Sequence, residues 1–281
     1  NATSQSDANV GIYSKSSNKI TNDGTITIGN NAIGIYGYGV ENNGTINTGK
    51  NGTAIYTDGN GEPVHLSSTS VLNIGDDQAV GAYIVGKNQT VTADSGSQFN
   101  IGKNSFGFVN AGQGNTINSN TASVSLGKDT VYIYQNDNTG KVFNNTKLTS
   151  TGDRNYGLYG NGTMENNAVI DFASGKGNVG IYSTGGTATN KSVIKVSETN
   201  LANKEFGIGM ATGYYDKTSA TPFSNQGTII NNGTIEVSKP NTMGMYAVGP
   251  NSKAINYGNI NLSGSNTVGM YLDQGAKGEN W

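Results

Sequence analysis

A four-residue phrase recurs along this chain: an apolar residue, a small residue, a second apolar residue and usually tyrosine. It reads Val-Gly-Ile-Tyr at residues 10–13 and Val-Gly-Met-Tyr at residues 268–271. A repeat with a mean spacing of about 26 residues indicates a solenoid, in which each coil packs on its neighbours, and this constrains the fold more than any other feature. The eleven copies end at Tyr13, Tyr36, Tyr56, Tyr83, Val109, Tyr134, Tyr159, Tyr182, Gly209, Tyr246 and Tyr271.

A second phrase lies between successive copies of the first. Its apolar and polar residues alternate, as in Ile-Thr-Ile at residues 26–28, which is the period of a strand with one buried face. A small residue precedes this strand, and an asparagine usually stands two positions earlier. Because asparagine tolerates tight turns, we predict a corner at which the amides hydrogen-bond from coil to coil. The corner residues are Asn22, Asn42, Asn144, Asn166, Asn190, Asn231 and Asn256.

Each repeat therefore contains three short strands joined by turns. This pattern predicts an all-β protein: a three-sided parallel β-helix of about eleven coils of ~25 residues, right-handed by the crossover rule. Residues 1–281 are expected to form one solenoid, about 50 Å long at ~4.8 Å per coil. The alternative, a β-propeller, requires ~40 residues or more per blade.

Composition supports strands and turns and argues against several partners. The chain has 42 glycines, no cysteine, 13% charged residues and a net charge of −2. A nearly neutral chain without a basic cluster lacks the electrostatic signature of nucleic-acid binding. No apolar run reaches the ~20 residues that a membrane-spanning helix requires.

The acidic residues do not form a recognisable catalytic pair. Glycoside hydrolysis needs two carboxyl groups at a set separation, and the only adjacent pair, Asp76 and Asp77, falls in a predicted turn. The single arginine, Arg154, and the single histidine, His65, are expected at the surface or in turns. We therefore predict no catalytic residue, no metal site and no cofactor.

Strict alternation predicts which way the first phrase points. Its first and third residues should face the core, while its small residue and its tyrosine should face outward. The nine tyrosines would then form a ladder, interrupted at Val109 and Gly209, that either stacks to cover the glycines or offers a platform for a sugar or protein ligand. The ladder consists of Tyr13, Tyr36, Tyr56, Tyr83, Tyr134, Tyr159, Tyr182, Tyr246 and Tyr271.

The longest gap between copies, 37 residues from Gly209 to Tyr246, predicts a protruding loop at residues 210–226. Insertions in solenoids leave as loops, often on the binding face, and long loops are uncommon without a function. The alternative is a tolerated surface loop with no role in binding. The predicted contact residues are Tyr214, Tyr215, Lys217 and Phe223.

The phrase Asn-Asn-Gly-Thr-Ile at residues 42–46 and 231–235, alternating with the tyrosine phrase, resembles the passenger domains of very large type V autotransporter adhesins, especially the fusobacterial kind. The resemblance covers nearly the whole chain. It implies a right-handed β-helix exposed at the bacterial outer membrane, with a C-terminal membrane barrel outside this sequence.

The resemblance also implies a function. It predicts non-enzymatic attachment to a surface protein or glycan of host cells or other bacteria, or a stalk that displays such sites. The alternatives are a β-helical carbohydrate-active enzyme, such as a polysaccharide lyase or hydrolase, and a simple spacer.

Overall fold

The computed structural model describes residues 9–281. The chain winds into a right-handed parallel β-solenoid of eleven coils, which confirms the predicted three-sided β-helix. Along each face, a strand pairs in parallel with the strand of the next coil. The described residues form no α-helix, and so contain no helix that could cross a membrane.

The first face carries the tyrosine phrase and is one continuous sheet of eleven strands. We number the coils from 1 to 11 by these strands. They are β1 (Val10–Ser14), β4 (Ile33–Gly37), β7 (Thr53–Thr57), β10 (Val80–Ile84), β13 (Phe106–Asn110), β16 (Val131–Gln135), β19 (Tyr156–Gly160), β22 (Val179–Ser183), β25 (Ile208–Thr212), β30 (Met243–Val248) and β33 (Val268–Asp273).

The second face is also a continuous eleven-stranded sheet, and it ends at the asparagine corner. Its strands are β2 (Ile20–Asn22), β5 (Val40–Asn42), β8 (Val64–Leu66), β11 (Thr90–Ala93), β14 (Thr116–Ser119), β17 (Lys141–Asn144), β20 (Thr163–Asn166), β23 (Thr187–Asn190), β28 (Thr228–Asn231), β31 (Lys253–Asn256) and β34 (Lys277–Asn280).

The third face is divided into a four-stranded and a six-stranded sheet. The first consists of β3 (Thr25–Thr27), β6 (Thr45–Asn47), β9 (Val71–Ile74) and β12 (Gln98–Ile101). The second consists of β15 (Ser123–Leu126), β18 (Lys147–Ser150), β21 (Ile170–Asp171), β24 (Val193–Lys195), β29 (Thr234–Val237) and β32 (Asn259–Leu262). A separate antiparallel hairpin is formed by β26 (Tyr214–Tyr215) and β27 (Phe223–Ser224).

An aromatic cluster lies in the core where the third face is interrupted. The ring of Phe99 is 4.9 Å from that of Phe108 and 6.0 Å from that of Tyr132, centroid to centroid. Tyr132 is fully buried, and its hydroxyl lies 2.6 Å from Ser119 Oγ. It occupies the second position of the tyrosine phrase, where every other coil has glycine or alanine. Coil 6 therefore holds a large ring that the other coils do not accommodate.

The prediction that the small residue faces outward and the first residue inward was wrong. A Cβ placed on Gly34 would lie 2.8 Å from Ile46 Cγ2 inside the solenoid, and Tyr132 at the equivalent position is buried. The second and third residues of the phrase both point inward, because the strand bends between them. The first residue consequently lies on the outer surface beside the tyrosine, half-buried in the case of Phe106 and Ile208.

The alignment of the ninth phrase was also wrong. Strand pairing places Ala211, not Gly209, opposite Tyr182 and Tyr246. Gly209 occupies the inward small position, where a Cβ would meet Ile235 Cγ2 at 2.7 Å. The extra residues of this region are thus divided between two excursions, one before and one after β25.

The asparagine corner is a buried column of side chains. Asn166 Nδ2 donates to Asn190 Oδ1 at 2.8 Å and to Ala168 O at 2.7 Å, while its own Oδ1 accepts from Asn144. The column continues beyond the predicted residues to Asn280. In coils 3 to 5 other residues take the same place. They are Leu66, Ala93 and Ser119.

A second corner, not predicted from the sequence, precedes each strand of the first face. One residue there adopts a left-handed backbone in most coils, and a buried small or polar residue follows it. The left-handed residues include Asn31, Asn51, Asp77, Asn104, Asp129, Arg154, Gly177, Lys204, Asn241 and Asn266.

Candidate binding groove

The nine repeated tyrosines lie in one column on the outside of the first face. Val109 and Ala211 occupy the same column and divide it into three runs. Within a run, neighbouring ring centroids are 4.9–5.7 Å apart, and the rings are stacked except in the two pairs that involve Tyr36, which are tilted. The runs are Tyr13, Tyr36, Tyr56 and Tyr83; Tyr134, Tyr159 and Tyr182; and Tyr246 and Tyr271.

A second column of outward side chains runs beside the tyrosines and is formed by the first residue of each phrase. In coils 5 to 9 it is the floor of a groove that encloses about 690 Å³. The groove then passes Ala211 and Tyr246 and ends beside Asp273 in coil 11. The floor residues are Phe106, Val131, Tyr156, Val179 and Ile208.

One wall of the groove is a loop at residues 200–206, which we call the clamp loop. A bridge between Asn200 and Glu205 closes it. At its base, Thr199 Oγ1 donates to Asn241 O at 2.6 Å and accepts from Gly207 N at 3.0 Å. The loop places Phe206, which is 41% exposed, at the edge of the groove.

Arg154 ties the clamp loop to the rod. Its guanidinium donates through Nε and Nη2 to the two carboxylate oxygens of Asp129, and through Nη1 to Glu205 Oε1 at 3.2 Å. Glu205 Oε2 accepts from Asn200 Nδ2. The hydrogen bond to Asp129 is the main cause that raises the pKa of Arg154 above its ordinary value. The guanidinium therefore remains charged and fixes the wall across coils 6 to 9.

The opposite wall is the hairpin of β26 and β27. It leaves the rod at Gly213, whose amide donates to Asn225 O at 2.7 Å and whose carbonyl accepts from the Tyr182 hydroxyl at 3.0 Å. The hairpin tip is ordered by Asp216, which accepts hydrogen bonds from the amide and hydroxyl of Thr218. Those bonds lower the pKa of Asp216.

Four groove tyrosines, Tyr156, Tyr214, Tyr215 and Tyr246, keep their hydroxyls free of bonds to residues 9–281, and burial affects two of them. Within residues 9–281, neither Tyr156 nor Tyr246 makes a side-chain hydrogen bond, and each ring lines the groove. Burial raises the pKa of both phenols. They therefore stay protonated and can donate a hydrogen bond to a ligand near neutral pH.

The structure places the predicted contact residues at different positions in the hairpin. Tyr214 and Tyr215 line the groove. The ring of Phe223 stacks behind Tyr215 at 5.3 Å, and Lys217 is exposed near the tip, outside the lining. Residues 213–225 form the excursion, whereas Met210, Ala211 and Thr212 belong to β25.

Sequence reasoning missed the clamp loop and the floor. Arg154 was expected at the surface, and its bonds to Asp129 and Glu205 join residues 25 and 51 positions away. The signal available in the sequence was the aromatic character of Phe106 and Tyr156 at a position that is otherwise mostly aliphatic.

The remaining titratable residues considered from the sequence lie outside the groove. His65 is on the second face, 2.7 Å from Glu41 and 3.0 Å from Asp94. Asp77 pairs with Lys50, and Asp76 accepts from the Lys103 amide. In the part of the chain that the structure describes, no three acidic or histidine side chains are placed to hold a metal ion.

Comparison with known proteins identifies the family. Residues 40–281 match the family model of the BigA third pectate lyase-like domain, and this stretch includes the groove with both walls. BigA is a bacterial surface protein. No curated protein and no solved structure matches the chain. The chain therefore belongs to the family of the third pectate lyase-like domain of BigA.

Proposed function

We propose that this chain is a non-enzymatic attachment domain of a bacterial surface protein, the passenger segment of an autotransporter adhesin. The observation that carries the proposal is the groove: an apolar floor between two walls that are each fixed by hydrogen bonds. Exposed aromatic and apolar surface in a formed groove is typical of a binding site. The partner would be a molecule on the surface of a host cell or another bacterium.

The chemistry of the groove argues against the alternative, a carbohydrate-active enzyme. A general base must release its proton near the working pH, and the pKa of Arg154 is raised by Asp129. A hydrolase needs two carboxyl groups free to act on the scissile bond. Both oxygens of Asp129 and both of Glu205 already accept hydrogen bonds from Arg154 or Asn200.

A comparison of two substitutions at equivalent positions tests the attachment role. Ile208→Glu places a charge on the groove floor, whereas Ile33→Glu places one at the same phrase position in coil 2, outside the groove. The labelled domain is incubated with host cells and with other bacteria, and bound protein is measured by flow cytometry. We expect the Ile208 variant to lose most binding and the Ile33 variant to retain it. Equal binding by both variants, or none by the unsubstituted domain, would contradict the proposal and favour a spacer.

A separate assay addresses catalysis. The domain is incubated with pectin, other plant polysaccharides, bacterial polysaccharides and host glycans, and new reducing ends and unsaturated products are measured. We expect no turnover. Turnover that is lost in Arg154→Gln would instead establish the enzyme.

A further inference from the structure

Three aromatic rings of the groove already use one face to stack on a neighbouring ring. Tyr182 stacks on Tyr159 at 5.1 Å, Tyr246 on Tyr271 at 5.7 Å, and Tyr215 on Phe223 at 5.3 Å. The floor is mainly apolar, which leaves few polar groups to bind the hydroxyls of a polysaccharide. These properties favour a polypeptide ligand over a glycan.

The free hydroxyls favour a backbone whose carbonyls are unpaired. Tyr156 and Tyr246 each bring a protonated phenol to the groove without a partner in residues 9–281. A polyproline II helix has no internal hydrogen bonds, so its carbonyls are available to such donors. It also loses little conformational entropy on binding, because it is already extended.

The spacing of the floor side chains along the groove matches the repeat of a polyproline II helix. Coils repeat every ~4.8 Å, so every second floor side chain recurs after about 9.6 Å. A polyproline II helix turns once in three residues, or about 9.3 Å. Prolines at every third position can therefore meet equivalent floor positions along the four coil steps from Phe106 to Ile208.

The charges of the groove indicate which end of the ligand carries a basic group. Arg154 is neutralised by Asp129 and Glu205. Asp273, at the coil 11 end, forms no ion pair among residues 9–281 and contacts only Gln274 through its carboxylate. Lys204 is exposed on the clamp loop at the other wall. A ligand would therefore complement the groove if it placed a cationic group beside Asp273.

We propose that the groove binds a proline-rich polypeptide segment in the polyproline II conformation, with a lysine or arginine seated beside Asp273. This inference rests on the proposed attachment function and specifies its ligand. The hydroxyls of Tyr156 and Tyr246 donate to the carbonyls of the segment, and its proline rings pack on the floor.

Synthetic fluorescent peptides test the proposal by anisotropy. One peptide has ten prolines followed by arginine, a second replaces every proline with glycine, and a third ends in glutamine. We expect the first to bind about tenfold or more tightly than the second, since glycine removes the preformed helix. The third should bind several-fold more weakly than the first, and Asp273→Asn should abolish that difference.

The double variant Tyr156→Phe, Tyr246→Phe should weaken binding about tenfold, because two hydrogen bonds are lost. Tyr13→Phe, in the same column as Tyr246 but far from the groove, is the matched control and should bind normally. Absence of peptide binding, equal binding of the glycine peptide, or preferential binding of oligogalacturonate would overturn the proposal. If Ile208→Glu still abolishes cell attachment in that case, the attachment function stands and only the ligand assignment fails.

Discussion

Gly177 lies directly beneath Glu205, so that a Cβ on the glycine would approach the Cβ of the glutamate to 2.7 Å. Gly177 also has a positive φ of 65°, a conformation that is unfavourable for alanine and that glycine adopts without strain. The missing side chain allows the clamp loop to lie across coil 8 and reach Arg154. The position of this groove wall thus depends on one glycine in a corner.

Gly177→Ala should therefore lift the clamp loop. We expect the free energy of unfolding to fall by about 1–2 kcal/mol, because alanine is strained in the left-handed backbone conformation. Tryptic cleavage after Lys204 should become faster as the loop opens. The matched control is Gly127→Ala, because a Cβ there has no neighbour within 4 Å. Cleavage rates after Lys204 and denaturation midpoints of both variants provide the comparison. Unchanged proteolysis in the Gly177 variant would show that the loop does not depend on this contact.

Tyr132→Gly should destabilise the solenoid, although it restores the residue most common at that position. The ring fills space against Phe99 and Phe108, so its removal leaves a cavity, and losses of a large aromatic side chain cost about 3–5 kcal/mol. Tyr132→Phe should cost about 1–3 kcal/mol, through the lost bond to Ser119. Urea denaturation measures both. A stabilised Gly variant would mean that the ring is strained in its site.

Asn166→Ala should be far more harmful than Asn167→Ala. Asn166 is fully buried and links Asn144 to Asn190. Its removal leaves buried polar groups without hydrogen-bond partners, and each such group lowers the free energy of unfolding by about 1–3 kcal/mol. Asn167 also bonds one coil away, to Asn145, but is exposed, and we expect a change within about 0.5 kcal/mol. Similar melting temperatures for the two variants would contradict a structural role for the buried column.

His65 should make stability depend on pH in the neutral range. Burial lowers the pKa of His65, but the hydrogen bonds to Asp94 and Glu41 raise it by more, so the net shift is upward. The contribution of His65 to the free energy of unfolding is then complete below the pKa of histidine in the unfolded chain, about 6.5. It is lost as pH rises through the pKa of His65 in the folded protein. The melting temperature of the unsubstituted domain should exceed that of His65→Gln by more at pH 5.5 than at pH 8.5. A difference that is constant or grows with pH would reverse this sign.

The sequence was sufficient for the repeat and its strands, because alternating residues such as Ile235 and Val237 report burial directly. The sequence was insufficient to predict which side chains of the tyrosine phrase face inward. A bend turns Gly34 and Ile35 to the same side of the strand and breaks the alternation. Phe-Gly-Ile-Gly at residues 206–209 has the same pattern as the phrase. The predicted ninth copy therefore lies two positions before the one that the strand pairing defines.

The groove could be predicted only in part. Tyr214 and Tyr215 were recognised because an aromatic insertion stands out in a regular repeat. Arg154 and Glu205 were not, because their contact spans 51 residues and two coils, and nothing in the intervening sequence specifies that distance. Such contacts depend on how far each coil's corner extends from the rod.

The parallel pairing of each strand with only its two neighbours has a mechanical consequence. A force applied at one end peels the terminal coil first, because its strands have only one neighbour each, and its release frees about 25 residues of chain. Those residues extend to about 80 Å when stretched, while the rod shortens by only ~4.8 Å. Single-molecule pulling should therefore record a series of length steps, each set by the number of residues in one coil. A single rupture of the whole domain would show that the coils yield together.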